Sequence, residues 1–330
     1  MTGALREPRH LLVRLPGPLG DAVMATPALR GLRRALPAAR ITWTGGPAAL
    51  GALEGLSGRD DVMPLMAEHL RGAKRLRRTV RAWRRLGPDA ILLFPHAPSA
   101  ALAAWRSGAR VRVGSGRGGT APLLTRAVAL PSEGRRLRPR SMVAMYLDLA
   151  APFGAVDDER GPVVVTTSFD DRRAQRRLEA LGLSQPFFAV NPGAAFGPSK
   201  LVPPDVLGRI VRRVREATGA LPLVLCGPSE TDLAARVASS VGEGCRSTHE
   251  DAPDLGELKA LLRRARFLLT VDAGPRHLAE ALGTPTVVLM GPTDPRWTEH
   301  SPARVIRNEG LDCLACHEKI CPIDHPCLRE

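Results

Sequence analysis

The chain has 330 residues, of which 44% are hydrophobic and 24% are charged, a globular composition that excludes disordered, collagen-like and disulfide-scaffold proteins. The length suits two domains of roughly 150 residues, and no apolar run approaches the roughly 20 residues that cross a bilayer. The net charge of +14 lies entirely in the first half, because residues 1–165 hold 26 basic and 12 acidic side chains whereas residues 166–330 hold 21 of each.

The positive charge of the first half predicts an anionic partner there, such as nucleic acid, an anionic membrane face or an acidic or phosphorylated substrate. Four Trp, one Tyr and seven Phe are too few rings to favour base stacking, so we expect no nucleic-acid partner. Residues 1–10 lack the apolar core of a secretory signal, and we therefore expect a cytoplasmic protein.

The first half alternates strands with helices. Short apolar runs predict strands at residues 10–15, 41–44, 90–94 and 111–114. A Gly-Pro loop follows the first strand and leads into one helix, which is predicted to start near Ala22 and to end at Pro37. The polar segment 157–162 is the predicted linker between two domains, residues 1–160 and 161–330.

The second half repeats this pattern with clearer turn signals. The predicted strands are residues 187–190, 221–226, 267–271 and 285–290, and the predicted helices are residues 203–218, 230–241, 255–265 and 275–282. This order predicts an α/β protein with two doubly wound parallel-sheet domains. Ligands of such sheets bind at the carboxyl ends of the strands, so the loops after the strands are the candidate sites.

The loop after the first strand ends in a carboxylate, Asp21, at the start of the predicted helix. Backbone N–H groups and the helix dipole favour the ionised form there, and an ionised carboxylate can act as a general base. The structural alternative is an N-cap or first-turn Asp, which stabilises the helix by roughly 1 kcal/mol. The loop is not a G-x-G-x-x-G fingerprint, and no acidic residue ends the second strand, so a nicotinamide-dependent oxidoreductase is not supported.

Two loops of the second half could hold an anion. One is rich in small residues and ends in Lys200, which either reaches a bound anion or belongs to an ordinary surface loop. The other begins at Asp272 and enters a helix through Pro275, so free amides at the helix start would face a diphosphate. Arg276 and His277 would add donors there. The alternative is a helix start that is capped by Asp272.

Three sequence blocks resemble the lipopolysaccharide heptosyltransferases of glycosyltransferase family nine. They are LLVRLPGPLGDAVMATPALRGLRRALPAARITW, NPGAAFGPSKLVPP and LLTVDAGPRHLAEALGTPTVVLMGPTDP. Their order and spacing make the resemblance specific over nearly the whole chain, and the closing segment CLACHEKICPIDHPCL is most similar to the heptosyltransferase II branch. The resemblance implies the GT-B fold, in which two Rossmann-like domains face a cleft, the first binding the acceptor and the second the nucleotide sugar.

The resemblance also implies roles for individual residues. Asp21 matches the Asp of the motif GD-x(4)-TP and is the implied catalytic base, and Lys200 matches a lysine that contacts the donor phosphates during catalysis. The implied donor-binding residues are Lys200, Glu230, Asp272, Ala273, Gly274 and His277. Two departures leave the donor sugar open. Ala273 stands where the motif D-[ST]-G-P-x-H has Ser or Thr, and Leu201-Val202 replaces a more common Arg-Trp pair.

The implied reaction is inverting transfer of heptose from ADP-heptose to the lipopolysaccharide inner core. Asp21 would deprotonate the acceptor hydroxyl, while Lys200 and the amides of the helix at Pro275 would stabilise the charge of the departing ADP. No Asp-x-Asp pair follows a strand, so we expect metal-independent chemistry with no required cofactor. Two alternatives remain: a family-nine transferase with another nucleotide sugar or glycan acceptor, and a non-catalytic nucleotide-sugar-binding or metal-sensing protein.

A basic segment in the first half suits the anionic acceptor that the resemblance implies. Eight Lys and Arg residues crowd residues 71–85, where Leu76, Val80 and Trp83 recur at helical spacing. The candidate acceptor-binding residues are Gly20, Arg71, Arg75 and Arg78. The segment is either an interfacial amphipathic helix on the anionic inner-membrane face, which would make the protein peripheral, or a solvated helix with its apolar side on the core.

Four of the six cysteines lie in the last 18 residues. They are Cys313, Cys316, Cys321 and Cys327. Such density in an intracellular chain favours metal binding over disulfides, and a Cys-x2-Cys pair suits a structural zinc or iron–sulfur site. The spacing matches no standard zinc module, so a structural metal, a disulfide and free thiols in a C-terminal flap all remain open.

Overall fold

The structure is a computed structural model that describes residues 7–65, 72–134 and 136–329. The chain divides into two compact units, of which the first ends at Val163 and the second begins at Val164. This boundary adjoins the polar segment 157–162, which the sequence predicts as the linker.

The first unit mixes strands and helices along its whole length. Its strands are β1 (His10–Arg14), β2 (Arg40–Gly45), β3 (Asp61–Pro64), β4 (Ala90–Leu93), β5 (Val111–Gly114), β6 (Arg126–Ala127), β7 (Ser132–Glu133) and β8 (Arg136–Leu137). Its helices are α1 (Leu19–Met24), α2 (Thr26–Ala35), α3 (Pro47–Ala52), α4 (Gly72–Leu86), α5 (Pro98–Ser107) and α6 (Met142–Ala150).

The described residues of this unit form a six-stranded parallel sheet in the order β3-β2-β1-β4-β5-β6. At its centre, Leu12 of β1 pairs with Thr42 of β2 and Ile91 of β4. Continuous apolar strands of this kind are typical of a parallel sheet covered on both faces. The four strands that the sequence predicts for this half are present. The edge strands β3 and β6 are not predicted, because they are short and half-exposed and have no continuous apolar run.

The single helix predicted to start near Ala22 is wrong, because two helices, α1 and α2, meet at Ala25. Pro27 has no N–H with which to bond the carbonyl of Val23, so α1 cannot continue through it. The Thr26 hydroxyl donates to that carbonyl instead, over 2.8 Å. The break leaves Asp21 in the first turn of a separate short helix.

The second unit repeats the architecture of the first. Its strands are β9 (Phe187–Asn191), β10 (Leu221–Val224), β11 (Arg246–Ser247), β12 (Leu268–Val271), β13 (Thr286–Leu289) and β14 (Arg304–Ile306). Its helices are α7 (Ser168–Ala180), α8 (Pro204–Thr218), α9 (Thr231–Val241), α10 (Leu255–Arg264), α11 (Gly274–Ala281) and α12 (Pro326–Arg329). The strands and helices that the sequence predicts for this half are present, with ends that differ by one or two residues.

The second sheet, within the described residues, runs parallel in the order β11-β10-β9-β12-β13-β14, which matches the order of the first sheet. In both units the strand order reverses beside the first strand, between β1 and β4 and between β9 and β12. A crevice at the carboxyl ends of the strands is expected at each of these switch points. No helix of the described residues combines the length and the apolar character that crossing a bilayer requires.

Candidate functional site

The loops after β9 and β12 come together at the switch point of the second sheet. Lys200 lies in a 3₁₀ turn after β9, and Asp272 directly follows β12. The Lys200 ammonium group (Nζ) donates to Asp272 Oδ2 over 2.6 Å and to the Asp272 carbonyl oxygen over 3.0 Å. The two side chains are 12% and 8% exposed. The sequence places these residues in separate loops, and the structure joins them in one buried ion pair.

Arg276 forms the second ion pair of Asp272. Its fully buried guanidinium group donates to Asp272 Oδ1 over 2.9 Å, to Glu280 Oε1 over 2.7 Å and to Ser301 Oγ over 3.0 Å. The sequence analysis expects Arg276 to be a donor for a bound anion, but three of its N–H groups serve these partners and its side chain is fully buried. The residue therefore fixes Asp272 and the first turns of α11 instead of facing a ligand.

Asp272 is ionised at neutral pH. Burial alone would raise the pKa of Asp272, but the charges of Lys200 and Arg276 outweigh burial and hold that pKa well below its usual range. A carboxylate between two cations is a poor proton acceptor. Asp272 therefore serves to orient Lys200, and the best candidate for a general base lies elsewhere in the chain.

His277 lies beside this cluster and is neutral at pH 7. Burial lowers its pKa to about 3, and the charge of Arg276 adds to the effect. Burial and Arg276 similarly lower the pKa of His300 to about 4. A neutral imidazole has one N–H donor and one acceptor nitrogen. His277 could therefore hydrogen-bond a ligand without adding charge to the site.

We expect the second unit to lose stability as the pH falls from about 6.5 to about 4. The unfolded chain protonates both histidines near pH 6.5, whereas in the folded chain the pKa values are about 3 for His277 and about 4 for His300. The unfolded state then binds more protons, so the free energy of unfolding falls by at most about 1.4 kcal/mol per pH unit for each group.

Thermal unfolding measured between pH 7 and pH 4 checks this expectation. His277→Gln and His300→Gln should each flatten the dependence of the unfolding temperature on pH. An unchanged slope in both variants would show that other groups control acid stability.

The start of α11 has no side-chain cap from the described part of the chain. Its N-cap residue is Ala273, and Pro275 lies in the first turn, so Asp272 is not the capping residue that the alternative interpretation predicts. Amides in the first turn of a helix attract anions when no side chain accepts from them. Lys200 is tied to the same region through the Asp272 carbonyl.

Glu230 connects the loops after β9 and β10. Its Oε2 accepts from the Gly227 N–H over 3.0 Å. Gly193 lies so close that a Cβ added there would be 2.2 Å from the Glu230 carboxyl carbon. The side chain of Asn191, which precedes Gly193, donates to Thr270 Oγ1 of β12 over 3.2 Å. The loops after β9, β10 and β12 thus form one connected edge of the sheet.

Asp21 is tied to α6 in the first unit. The residue is partly buried in the first turn of α1, which is one of the two positions that the structural alternative predicts; the N-cap itself is Pro18. The hydroxyl of Tyr146 donates to the Asp21 carboxylate. Burial raises the pKa of Tyr146, and the charge of Asp21 and this hydrogen bond raise it further. Tyr146 therefore remains protonated and keeps donating to Asp21.

A cavity of about 450 Å³ opens at the carboxyl ends of β1 and β4 in the first unit. Its lining includes Arg14 at the end of β1, Arg75 of α4 and Ser99 of α5. Arg78 lines a different cavity of about 510 Å³ along α4. Arg71 lies outside the described residues. Of the basic acceptor candidates, Arg75 is thus the one beside the switch point of the first sheet.

His96 and Ser115 follow β4 and β5 at the same edge of the first sheet. The His96 Nδ1 and Ser115 Oγ atoms are 2.7 Å apart, so the two side chains form a hydrogen bond. Burial lowers the pKa of His96, and the charge of Arg117 lowers it further. The pair adds neutral polar groups to an edge that is otherwise positively charged.

The apolar side of α4 faces the core. Val80 and Trp83 are buried, and Leu76 packs against the same cluster, which includes Ile91 of β4. The Lys and Arg side chains of α4 are exposed. The interpretation of this segment as an interfacial helix is therefore wrong in its apolar part, because the residues that would enter a membrane are already packed in the protein.

The cysteines of the C-terminal segment are free thiols in this structure, as are Cys226 and Cys245. Within the described residues, no three His, Cys, Asp or Glu side chains are arranged so that they could hold a metal ion. The metal site that the cysteine spacing suggests stays a prediction at this point.

The sequence profile of glycosyltransferase family 9 (heptosyltransferase) matches residues 75–326, which is most of the chain. This chain belongs to glycosyltransferase family 9. A relative named Lipopolysaccharide heptosyltransferase 3 from Escherichia coli strain K12 is 28% identical over 171 residues, which are 48% of this chain and 47% of that protein. The chain thus spans about half the length of that relative.

Solved structures confirm the GT-B fold class. A family 9 glycosyltransferase from Veillonella parvula superposes with a TM-score of 0.77 at 21% identity and covers 90% of this chain and 85% of its own. ADP-heptose lipopolysaccharide heptosyltransferase II of E. coli superposes with a TM-score of 0.75 at 21% identity. The match covers 92% of this chain and 91% of that protein. An E. coli heptosyltransferase with ADP-2-deoxy-2-fluoro heptose superposes with a TM-score of 0.67 at 18% identity. The match covers 91% of this chain and 94% of that protein.

The family 9 match contains the cluster around Lys200 and Asp272 but begins after Asp21. The assignment of Asp21 as the candidate base is therefore supported by its contact with Tyr146 and by the motif GD-x(4)-TP, not by the family profile. Sequence reasoning missed Tyr146, His96 and Ser115. Tyr146 is the one tyrosine of the chain and belongs to no recognisable motif. His96 and Ser115 follow predicted strands, and this position at a strand end could have identified them as candidates.

Proposed function

We propose that this family 9 member is an inverting glycosyltransferase that moves heptose from ADP-heptose to the inner core of lipopolysaccharide. Family membership and the E. coli relative named Lipopolysaccharide heptosyltransferase 3 support the reaction class. The observation that carries the proposal is the Lys200–Asp272 pair beside the uncapped start of α11. Together they make a cationic site for a diphosphate at the switch point of the second sheet.

The second unit would hold the nucleotide sugar. Lys200 and the first amides of α11 would bind the diphosphate, and Gly274 would let the backbone approach it closely. Glu230 would accept hydrogen bonds from the ribose hydroxyls. Ala273 has no hydroxyl to offer, so the neutral imidazole of His277 is a remaining side-chain donor near the sugar.

Gly193→Ala should weaken ADP binding about tenfold, which corresponds to about 1.4 kcal/mol. The new Cβ would stand 2.2 Å from the Glu230 carboxyl carbon, so that carboxylate must leave its position. Calorimetric titration with ADP measures the effect. Gly310→Ala is the matched control, because its added Cβ would meet its nearest neighbour at 3.5 Å. Equal ADP affinity in Gly193→Ala and wild type would remove Glu230 from the donor site.

The first unit would supply the base. Asp21 would take the proton of the acceptor hydroxyl as its oxygen attacks the anomeric carbon and the bond from that carbon to the ADP oxygen breaks. Attack from the side opposite to ADP inverts the anomeric centre. The Tyr146 hydroxyl would orient the carboxylate, and Lys200 with the α11 amides would stabilise the negative charge that builds on ADP.

The acceptor would meet the positive surface of the first unit. Lipopolysaccharide inner core carries carboxylates and phosphates, and the exposed cations of α4 together with Arg75 and Arg14 at the strand-end cavity suit such groups. Peripheral contact with the anionic cytoplasmic face of the inner membrane would then rest on these charges, because the apolar side of α4 is packed in the core.

The test is incubation of the full chain with a panel of nucleotide sugars and truncated lipopolysaccharide cores, followed by mass spectrometry of the products. Product with ADP-heptose and retained turnover in excess chelator are expected, because no Asp-x-Asp pair is present to hold a divalent ion. Loss of turnover in chelator that Mg²⁺ restores would contradict the metal-independent mechanism.

A second candidate, favoured by Ala273 in place of Ser or Thr, is transfer from another nucleotide sugar, and the same panel distinguishes the two.

A further inference from the structure

The C-terminal segment, residues 311–329, is anchored beside the loop that follows β13. The His317 N–H donates to the carbonyl of Pro292 in that loop over 2.9 Å. Of the described residues in the segment, Leu328 alone is buried, and it joins the apolar core of the second unit. The segment is thus held at two points, while its other side chains stay exposed or partly exposed.

The same segment contacts the turn that carries Lys200. The Ser199 N–H donates to the Lys319 carbonyl over 3.2 Å, and the Ser199 hydroxyl donates to the Glu318 carbonyl over 2.5 Å. Gly197 permits this close approach, because a Cβ added there would be 2.6 Å from the Lys319 carbonyl oxygen. The backbone of the turn therefore lies directly against the backbone of the segment.

Residues 317–319 connect two loops that follow the strands on either side of β12. In the second sheet β12 lies between β9 and β13, and Asp272 directly follows β12. The segment contacts the loop after β9 at Ser199 and the loop after β13 at Pro292. Two strand spacings amount to about 10 Å, which three residues of extended chain can span. The segment therefore passes along the edge of the sheet at which the diphosphate is proposed to bind.

The turn around Lys200 gains stability from this contact. It is a 3₁₀ turn of three residues, Pro198–Lys200, and so short a turn contributes few hydrogen bonds of its own. Ser199 is only 2% exposed, and both its N–H and its hydroxyl donate to the segment. Ser199 thus ties the backbone that precedes Lys200 to the C-terminal segment.

We propose that Ser199 is a positioning residue for the Lys200 ammonium group. With the turn held against the segment, the Lys200 side chain starts from a fixed backbone and reaches Asp272 and the start of α11 in one geometry. A lysine that is already ordered loses less conformational entropy when it binds a diphosphate, so ordering of the turn strengthens binding. This role rests on the proposed function, because Ser199 acts on the donor only through Lys200.

Ser199→Ala tests this role, because it removes the hydroxyl and keeps the backbone N–H. ADP affinity, measured by calorimetric titration, is expected to fall about fivefold, which is the effect of one lost hydrogen bond. Amide exchange at residues 199–201 and 317–320 should be faster than in wild type. Ser184→Ala is the matched control, since Ser184 is an exposed serine of the same unit and its substitution should change neither measurement.

A double-mutant cycle separates positioning from a general effect on the fold. Ser199→Ala is also made in the Lys200→Met background, where the group through which Ser199 acts is absent. The added substitution should then leave ADP affinity unchanged, whereas independent effects on binding would be additive. Thermal unfolding of wild type, both single variants and the double variant selects an assay temperature at which each chain is folded.

An equal loss of ADP affinity in both backgrounds would overturn the inference. Unchanged amide exchange or wild-type ADP affinity in Ser199→Ala would also overturn it. Wild-type ADP affinity in Lys200→Met would contradict the proposed donor site, and the role of Ser199 with it. Failure of the positioning role alone is recognised by weak ADP binding in Lys200→Met together with normal binding in Ser199→Ala, so the two failures are distinguishable.

Discussion

Asp21→Asn is expected to lower the rate of sugar transfer by about 10²–10⁴-fold while leaving ADP affinity unchanged. Asparagine keeps the size of the side chain and can still accept from the Tyr146 hydroxyl, but it cannot take a proton from the acceptor. The donor-binding candidates all belong to the second unit, which begins at Val164, so their geometry should not change. Single-turnover product formation followed by mass spectrometry gives the rate, and calorimetry with ADP gives the affinity.

Asp157→Asn is the matched control for this substitution. Asp157 is an exposed carboxylate of the same unit, and its removal should leave turnover unaffected. Wild-type turnover in Asp21→Asn would eliminate Asp21 as the base. If neither the wild-type chain nor Asp21→Asn forms product with any sugar of the panel, although both bind ADP, the chain is a nucleotide-sugar-binding protein without catalytic activity.

Local sequence patterns predict the two sheets because burial of apolar side chains, which any short apolar run reveals, determines where the central strands form. The apolar runs of β1, β4, β9 and β12 have nowhere to be buried except in a sheet covered on both faces. Pro27 indicates a break between α1 and α2, but the apolar periodicity continues across this position and therefore favours one helix. The short edge strands could not be predicted, because their pairing depends on the neighbouring strand more than on their own residues.

The candidate site was predictable as a set of loops but not as a set of contacts. Lys200 and Asp272 each follow a predicted strand, yet they are 72 residues apart, and their ion pair depends on the register of β9 against β12. The hydrogen bonds of Arg276 to Asp272, Glu280 and Ser301 likewise depend on the folded chain, and no local pattern predicts them. The hydrogen bond from Tyr146 to Asp21 joins α6 to α1 and has no signal in either segment alone.

Lys200→Met is expected to lower kcat/KM for ADP-heptose by about 10²–10³-fold, or about 2.7–4 kcal/mol in the transition state. Its Nζ is a cation that adjoins the start of α11, where the charge of the departing diphosphate would build. Methionine has a similar length and can keep the contact with the Phe196 ring, whose centroid lies 4.9 Å from Nζ. Steady-state kinetics and titration with ADP measure the effect on turnover and on binding.

The same substitution removes one partner of a buried ion pair, so the unfolding temperature should also fall. Assays well below the unfolding temperature of Lys200→Met separate the two effects, because Asp272 stays paired with Arg276 in this variant: the folded variant should still bind ADP weakly and transfer sugar slowly. Lys319→Met is the matched control, since the exposed Lys319 side chain plays no part in its backbone contact with Ser199. Wild-type turnover and ADP affinity in the folded Lys200→Met variant would mean that Lys200 acts only on the fold, and the diphosphate must then be bound by other residues.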